Sequence, residues 1–195
     1  MLARPIYVID GAPTPSLKSK NRPAPFAASH LATQAGRALL SRQPFAPEEL
    51  DEVILGCAAP SVDEVNIGRV AALRMGCGQK VPAWSVMRNC ASGMQAIDSG
   101  IHNILRRRST LVLAGGVDAL SRAPLLYGDK MVLWFSDMAG MRSTGQRLAH
   151  FAKLPLRSVL SAVIGIMKGL TDPMVGLLMG QTAENLAYRF GITRE

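Results

Sequence analysis

Residues 82–105 read PAWSVMRNCASGMQAIDSGIHNIL, and this stretch decides the fold. Its first part, residues 82–88, is a short apolar run that begins with proline, a pattern that predicts a β-strand. In residues 91–105 apolar side chains recur at helical spacing, which predicts a helix. The apolar face of that helix consists of Met94, Ile97, Ile101 and Ile104. A strand followed directly by a helix is typical of a parallel sheet covered by helices.

The same alternation extends in both directions along the chain. Apolar runs at residues 6–9, 53–57 and 110–114 predict three more strands, and helical spacing at residues 28–39 and 66–75 predicts the helices between them. The predicted order is β-α-β-α-β-α-β. This order favours an α/β fold with a mixed, mostly parallel sheet covered on both faces. In such sheets functional residues collect at the carboxyl ends of the strands.

A change of pattern after residue 121 predicts a second region. Residues 122–179 contain scattered Gly and Pro, six Met and only short helical stretches, whereas residues 181–190 return to helical spacing before a glycine. We therefore predict a core over residues 1–121 and a loop-domain segment over residues 122–179. Residues 180–195 are predicted to form a helix and a truncated continuation.

Composition limits the class of protein. The chain has 195 residues, 48% of them hydrophobic types, which suffices for the core of one ordinary domain. The net charge of +8 is compatible with several anionic ligands, but no aromatic residues accompany the dense run at residues 106–108, so we predict no nucleic-acid binding. No apolar stretch has the length of a transmembrane segment. Three cysteines without paired spacing favour a reducing compartment, and we predict a cytoplasmic protein.

Cys90 is the candidate nucleophile. It lies between a predicted strand and the N-terminus of the next helix, where unpaired N–H groups and partial positive charge favour a thiolate and stabilise an oxyanion. Ser92 and Gly93 leave room for a carbonyl group to approach. Cys57 and Cys77 lack these features, so both are predicted to be structural.

Four ordered segments resemble motifs of the thiolase family, and the similarity covers nearly all of residues 5–195. Asn89-Cys90-Ala91-Ser92-Gly93-Met94-Gln95-Ala96, preceded by Arg88, resembles the nucleophile segment N-R-x-C-x-S-G-x-Q-A. The other three segments are Glu52-Val53-Ile54-Leu55-Gly56, Ala114-Gly115-Gly116-Val117-Asp118-Ala119-Leu120-Ser121, and Gly169-Leu170-Thr171-Asp172-Pro173 followed by Met179-Gly180-Gln181-Thr182-Ala183-Glu184-Asn185. The resemblance implies a thiolase N-terminal half followed by the first part of the loop domain that cradles coenzyme A.

The resemblance also implies an activity and its site residues. Cys90 would carry the acyl group in thiolytic cleavage of a 3-ketoacyl-CoA or in the reverse Claisen condensation. Coenzyme A and acyl-CoA would be substrates, with no tightly bound cofactor and no metal. Leu170 and Met179 would line the coenzyme A and acyl pocket. Leu178 stands where many short-chain members have histidine, which favours longer acyl chains.

The acid–base partners of the family are missing as motifs. Neither a G-H-P histidine nor a C-x-G cysteine occurs in the sequence. His30 and His102 are predicted to be structural or solvated in amphipathic helices, and His150 is predicted to lie in a basic loop. We therefore expect the 195-residue chain alone to be inactive, because the proton transfers of the reaction need positioned acids and bases.

Partners and alternatives follow from the same resemblance. It implies a homodimer or homotetramer as a full-length protein, and a partner subunit of a β-oxidation complex is a further candidate. Basic residues between apolar ones at positions 142–168 leave open a membrane-surface contact, a partner-subunit contact and a simple solvated loop. Two other functions also remain open, a β-ketoacyl synthase-like condensing enzyme and a non-catalytic thiolase-fold interaction module.

Overall fold

The computed structural model describes residues 5–18, 22–161 and 163–194. The chain forms two compact units, Met1–Arg122 and Ala123–Glu195. The first unit is a helix-covered sheet, and the second consists mainly of helices.

The first unit contains a fully parallel sheet, so the predicted α/β class with a mostly parallel sheet is confirmed. Its elements are, in chain order, helix α1 (Ala28–Leu40), strand β1 (Glu52–Gly56), helix α2 (Ile67–Met75), strand β2 (Ala83–Val86), helix α3 (Ser92–Leu105) and strand β3 (Val112–Gly116). The sheet order is β2-β1-β3, with Val53 opposite both Ala83 and Leu113. All five residues of β1 are buried, as expected for a central strand covered on both faces.

The strand predicted at residues 6–9 is wrong. These residues belong to no strand in the structure, and Tyr7, Val8 and Ile9 are exposed. The apolar run predicts an extended segment but carries no information about a pairing partner, and no ladder joins it to the edge of β3. Within the described residues the observed order of the first unit is therefore α-β-α-β-α-β.

Helix α2 shows how local sequence sets the element ends. The Asn66 side chain accepts a hydrogen bond from the Arg69 N–H at 3.1 Å, which satisfies one of the unpaired donors of the first turn. Gly76 ends the helix in the left-handed region with φ of 94°, as the sequence predicts. A Cβ at Gly68 would meet the Trp84 carbonyl group, so α2 lies directly on β2.

A buried carboxylate ties three parts of the first unit together. Glu52 at the start of β1 accepts hydrogen bonds from Trp84 Nε1 at 3.1 Å, Asn103 Nδ2 at 2.7 Å and Ser109 Oγ at 2.8 Å. These donors lie on β2, near the end of α3 and before β3. Because the carboxylate is satisfied on all sides, the cost of burying it is offset, and the C-terminal end of α3 is fixed to the sheet.

Within its described residues, the second unit contains five helices and one two-stranded ladder. Its elements are strand β4 (Leu125–Leu126), helix α4 (Asp129–Gly140), helix α5 (Thr144–Phe151), helix α6 (Leu156–Leu160), strand β5 (Val163–Ile164), helix α7 (Gly165–Gly169) and helix α8 (Met179–Phe190). Strands β4 and β5 pair antiparallel. Gly191 ends α8 with φ of 63°. In the described ranges, no helix is both long and apolar enough to cross a membrane.

The prediction that His150 lies in a loop is wrong, because His150 belongs to α5. Its ring stacks on Trp134 of α4 with centroids 5.0 Å apart, and Trp134 Nε1 donates to the His150 carbonyl oxygen at 3.4 Å. Phe151 also contacts the Trp134 ring, edge to face at 5.7 Å. These contacts supply the tertiary packing that a short helix needs in water.

Candidate functional site

Cys90 lies in the turn between β2 and α3 and is exposed. The residue before it, Asn89, has φ of 48°, a left-handed conformation that Asn tolerates better than most residues. The Ala91 N–H donates to the Arg88 carbonyl oxygen at 3.0 Å and closes the turn. The structure therefore presents the thiol at the carboxyl edge of the sheet, the position that the sequence predicts.

Ser92 forms hydrogen bonds with the backbone of two residues of this turn. Its hydroxyl oxygen accepts a hydrogen bond from the Arg88 N–H at 2.8 Å, and the hydroxyl donates to the Asn89 carbonyl oxygen at 2.6 Å. The side chain is buried, with 3% of its surface exposed. Sequence reasoning assigned Ser92 only a small size and missed this clamp. The sequence signal for this contact was a hydroxyl residue at the second position of the helix predicted over residues 91–105, where such residues bond to nearby backbone.

Three glycines bring the first turn of α3 against the strand ends. A Cβ at Gly56, the last residue of β1, would meet the Ser92 carbonyl group. A Cβ at Gly116, the last residue of β3, would lie 2.7 Å from the Gly93 Cα. A larger residue at either strand end would push the helix N-terminus away from the sheet. The position of Cys90 therefore depends on glycine at both strand ends.

A polar chain runs along the first two turns of α3. Arg88 Nη1 donates to Gln95 Oε1 at 2.7 Å, and Gln95 Nε2 donates to Asp98 Oδ2 at 3.1 Å. This chain holds the Arg88 guanidinium beside the helix that begins after Cys90.

Cys57 and Cys77 are buried, with 2% and 1% of their surface exposed, as the structural interpretation expects. Burial, together with a smaller contribution from the nearby Asp118 carboxylate, raises the pKa of the Cys57 thiol to about 12. Burial likewise raises the pKa of Cys77, with a smaller contribution from Glu48. Among the three thiols, Cys90 alone is open to solvent.

No described contact joins a histidine side chain to the turn that carries Cys90. His30 is exposed on α1. His102 Nδ1 lies 2.8 Å from the Asp98 carbonyl oxygen, and His102 follows Ser92 by ten residues, about 15 Å along the helix axis. In the part of the chain that the structure describes, no histidine ring forms a hydrogen bond with the Cys90 thiol.

Leu170 and Met179 are brought together in the second unit. The Met179 N–H donates to the Leu170 carbonyl oxygen at 3.0 Å, and the two side chains are 47% and 40% exposed. The segment between them doubles back, since Thr171 and Leu178 form an antiparallel bridge and Gly176 has φ of 68°. A shallow apolar pocket results, lined by Met167, Leu170, Leu178, Met179, Gly180, Gln181 and Glu184. Its predicted role in binding an acyl-CoA stays a prediction.

Comparison with known proteins decides the family. Residues 6–195 match the family model described as the thiolase N-terminal domain. The chain belongs to the thiolase family. This confirms the resemblance inferred from the nucleophile segment and its three companion motifs.

The relatives of this thiolase chain include a 3-ketoacyl-CoA thiolase and a subunit of a trifunctional enzyme. It is 30% identical over 190 residues to a 3-ketoacyl-CoA thiolase of Yersinia enterocolitica, covering 97% of this chain and 43% of that protein. It is 31% identical over 191 residues to the mitochondrial trifunctional enzyme subunit beta of Macaca fascicularis, covering 98% of this chain and 39% of that protein. The thiolase chain thus spans about two fifths of the length of these relatives.

Solved thiolase structures share its fold. The acetyl-CoA acetyltransferase of Bacillus anthracis superposes with a TM-score of 0.68 at 32% identity, covering 87% of this chain and 38% of that chain. Human mitochondrial 3-ketoacyl-CoA thiolase in complex with CoA superposes with the same TM-score of 0.68 at 29% identity and equal coverage. The predicted thiolase N-terminal fold is therefore confirmed.

Proposed function

We propose that Cys90 is the acyl-carrying nucleophile of an acyltransferase that cleaves 3-ketoacyl-CoA or runs the reverse Claisen condensation. The observation that carries this proposal is the exposed Cys90 thiol at the start of α3, in a turn that Ser92 holds from both sides. A fixed, open thiol beside unpaired backbone donors matches what covalent acyl transfer requires.

In the cleavage direction, the Cys90 thiolate attacks the 3-keto carbon of the substrate. The bond between carbons 2 and 3 then breaks, the acyl group stays on sulfur as a thioester, and the acetyl-CoA carbanion leaves and takes up a proton. The thiol of a second coenzyme A attacks the thioester and releases the shortened acyl-CoA. The free Cys90 is restored, so one difficult step is divided into two easier ones.

The first turn of α3 supplies donors for the developing oxyanion. Within the described residues, the N–H groups of Gly93 and Met94 have no hydrogen-bond acceptor. They lie in the first turn, where the helix dipole adds partial positive charge. We assign these two N–H groups the stabilisation of the negative charge on the carbonyl oxygen during attack.

Substrate binding is assigned to the pocket of Leu170 and Met179. Their half-exposed apolar side chains suit the acyl part of a coenzyme A thioester, and methionine adapts to chains of different shape. Leu178 in the same pocket supports acyl chains longer than acetoacetyl. No tightly bound cofactor is included in this function, and coenzyme A enters as a substrate.

We also propose the partner subunits and the cellular location of the enzyme. The similarity to a trifunctional enzyme subunit beta supports a partner subunit in a β-oxidation complex, beside a homodimer or homotetramer of the full protein. Three cysteines without paired spacing support a cytoplasmic location.

Turnover requires acid–base groups in addition to Cys90. Because no histidine ring bonds to the Cys90 thiol in the described contacts, we propose that residues 1–195 alone form the acyl-enzyme at most, with release of one leaving group, and do not turn over. Losing one positioned acid or base costs about 10²–10⁴-fold in rate. This absence is also the observation that favours the second candidate, a non-catalytic thiolase-fold module.

Acyl transfer from a coenzyme A thioester tests the proposal. The chain is incubated with acetyl-CoA or a long-chain 3-ketoacyl-CoA, and peptide mapping by mass spectrometry locates the acyl group. We expect a thioester on Cys90, none in a Cys90→Ser variant, and no continued turnover after this single acylation. Acylation of another residue, or none at all, contradicts the nucleophile assignment and leaves the non-catalytic module. Acylation from acyl carrier protein but not from coenzyme A indicates a β-ketoacyl synthase-like enzyme.

A further inference from the structure

A carboxylate joins the chain segments that follow β1 and β3 at the carboxyl edge of the sheet. Asp118 lies two residues after the end of β3, and its Oδ1 accepts hydrogen bonds from the Ala58 N–H at 3.0 Å and the Ala59 N–H at 2.9 Å. Its Oδ2 lies 3.2 Å from the Ala58 nitrogen, and the Cys57 thiol donates to Oδ1 at 3.4 Å. Hydrogen bonds to a charged acceptor are roughly twice as strong as neutral ones. Asp118 therefore fixes the three residues that follow β1 to the segment that follows β3.

The strand ends that Asp118 joins are the ones on which α3 begins. Gly56 ends β1 and Gly116 ends β3, and the two glycines lie opposite each other in the sheet. A Cβ at Gly56 would meet the Ser92 carbonyl group, and a Cβ at Gly116 would lie 2.7 Å from the Gly93 Cα. The first turn of α3 thus rests on both strand ends, and its position depends on how the two ends are held together.

The backbone hydrogen bonds between β1 and β3 stop just short of these segments. The last of them runs from the Val117 N–H to the Gly56 carbonyl oxygen at 2.9 Å. Beyond it, the described hydrogen bonds between the two segments all end on the Asp118 carboxylate. Past the strand ends, the approach of the two segments therefore depends on one side chain.

We propose that Asp118 is a positioning residue for acyl transfer by Cys90. Its carboxylate binds the Ala58 and Ala59 N–H groups and keeps the end of β1 beside the end of β3. The two strand-end glycines then hold the first turn of α3, and Cys90 lies directly before this turn. Asp118 acts through the backbone, since no described contact joins it to Cys90. This role rests on the proposed function of Cys90 as the acyl-carrying nucleophile.

The chain offers a matched control at the other end of the same two strands. Asp51 directly precedes β1, and its Oδ2 accepts hydrogen bonds from the Thr110 and Leu111 N–H groups at 2.6 Å and 3.0 Å and from the Thr110 hydroxyl at 2.7 Å. Like Asp118, it is an exposed carboxylate that accepts from two consecutive N–H groups. The five residues of β1 span about 17 Å, so Asp51 lies at the opposite edge of the sheet from Cys90.

Two alanine variants of the complete 195-residue chain test the positioning role. Asp118→Ala and Asp51→Ala each leave two N–H groups without their acceptor, so both should lower the midpoint of thermal unfolding. Only Asp118→Ala should slow the acylation of Cys90, by about 10- to 100-fold, because misplacement of a reacting atom by about 1 Å can cost 10²-fold in rate. Peptide mapping after timed incubation with acetyl-CoA measures the rate, and circular dichroism measures the midpoint.

The dependence on substrate concentration separates positioning from substrate binding. Asp118 is assigned to the placement of Cys90 and not to contact with the thioester. The limiting rate at saturating acetyl-CoA should therefore fall, while the half-saturating concentration stays within about 2-fold. Asp118→Asn keeps an oxygen acceptor but loses the charge, so its rate should lie between those of Asp118→Ala and the unchanged protein. If Asp118→Ala does not fold, Asp118→Asn and Asp51→Asn give the same comparison.

The outcomes distinguish this role from the proposed function. Slower acylation of Cys90 in the Asp118 variants alone supports the role. Equal rates in the Asp118 and Asp51 variants overturn it, and so does a change in the half-saturating concentration alone. If Cys90 is not acylated even in the unchanged protein, the proposed function fails. The rate of Cys90 alkylation by iodoacetamide, compared in the same variants, then still decides whether Asp118 positions the thiol.

Discussion

The Ser92 hydroxyl donates a hydrogen bond to the Asn89 carbonyl oxygen at 2.6 Å, so the residue two positions after Cys90 holds the residue before it. The Ser92 hydroxyl oxygen also accepts a hydrogen bond from the Arg88 N–H at 2.8 Å. A single buried side chain thereby fixes the backbone on both sides of the nucleophile. A role in positioning, rather than in chemistry, follows from these contacts.

Replacing Ser92 by Ala should release this turn. The Asn89 carbonyl keeps one partner in the Ser92 N–H at 3.1 Å, but the Arg88 N–H loses its acceptor, at a cost of about 1–3 kcal/mol if it stays buried. We expect the alkylation rate of Cys90 by iodoacetamide to fall toward that of an unfolded cysteine peptide, because the thiol leaves the helix N-terminus. Rates are measured by mass spectrometry across a range of pH.

Ser99→Ala is the matched control for this variant. Ser99 lies on the same helix, and among the described contacts its hydroxyl oxygen accepts a long hydrogen bond, 3.3 Å, from Gln95 Nε2. It should leave the Cys90 rate unchanged. An equal loss in both variants, or no change in the Ser92 variant, contradicts the positioning role.

A Cβ at the end of β1 should displace the helix that carries the site. In Gly56→Ala the new atom meets the Ser92 carbonyl group, so α3 must move, and overpacking of this kind costs about 1–3 kcal/mol. The midpoint of thermal unfolding, measured by circular dichroism, should fall. In the control Gly140→Ala the Cβ meets nothing within 4 Å, and the midpoint should stay or rise. Equal midpoints for the two variants would refute the close approach.

The three cysteines should differ strongly in reactivity. A limiting dose of iodoacetamide at neutral pH should label Cys90 first, because it is exposed. Cys57 has a pKa raised to about 12 by burial and by Asp118, so its thiolate stays scarce until strongly alkaline pH. Peptide mapping of the folded protein checks the order. Labelling of Cys57 or Cys77 before Cys90 is the result that rejects the assignment.

Local patterns predicted the helices well because each has its own signals. Helical spacing and a terminal glycine placed α2 within one residue of its observed bounds, Ile67–Met75. The pairing of residues 6–9 was wrong because a strand needs a partner that an apolar run does not specify. The loop around His150 was wrong because its helix depends on stacking against Trp134, sixteen residues earlier.

The details of the site depend on contacts between distant positions. Gly56, Gly93 and Gly116 meet at the start of α3, yet they come from three separate elements. The sequence indicated that each glycine belongs to a motif, but only the packed sheet shows that their lack of side chains brings the helix onto the strands. The Ser92 contacts are local, and a capping argument at the start of the predicted helix would have found them.

The buried carboxylate of Glu64 should make stability depend on pH. Burial opposes its ionisation, but hydrogen bonds from Ser29 and the charge of Arg74, 3.3 Å away, outweigh burial and hold its pKa below the usual 4.5. A lowered pKa stabilises the fold above the pKa of the unfolded chain, and this contribution is lost as pH falls through the folded value. Glu64→Gln should therefore be less stable near pH 7, and the difference should begin to shrink as pH falls below about 4.5 and vanish below the folded pKa of Glu64. Unfolding midpoints of both proteins measure this gap, and a gap that stays constant contradicts the linkage.

Met179 tests whether the pocket of the second unit receives the acyl chain. Its side chain is 47% exposed and lies beside Leu170, so an acyl chain resting on both would bury apolar surface. Met179→Glu replaces that surface by a negative charge, which also repels the phosphates of coenzyme A. Losing one well-buried methionine contact costs about 1.5–3 kcal/mol, so equilibrium dialysis should show binding of a long-chain acyl-CoA weakened at least ~10-fold.

Met174→Glu is the matched control, since Met174 is 88% exposed and lies outside the pocket lining. Because the control carries the same charge in the same unit, a general electrostatic effect lowers affinity in both variants, whereas loss of the pocket lowers it in Met179→Glu alone. Equal affinities for the two variants would remove Leu170 and Met179 from the acyl-CoA site.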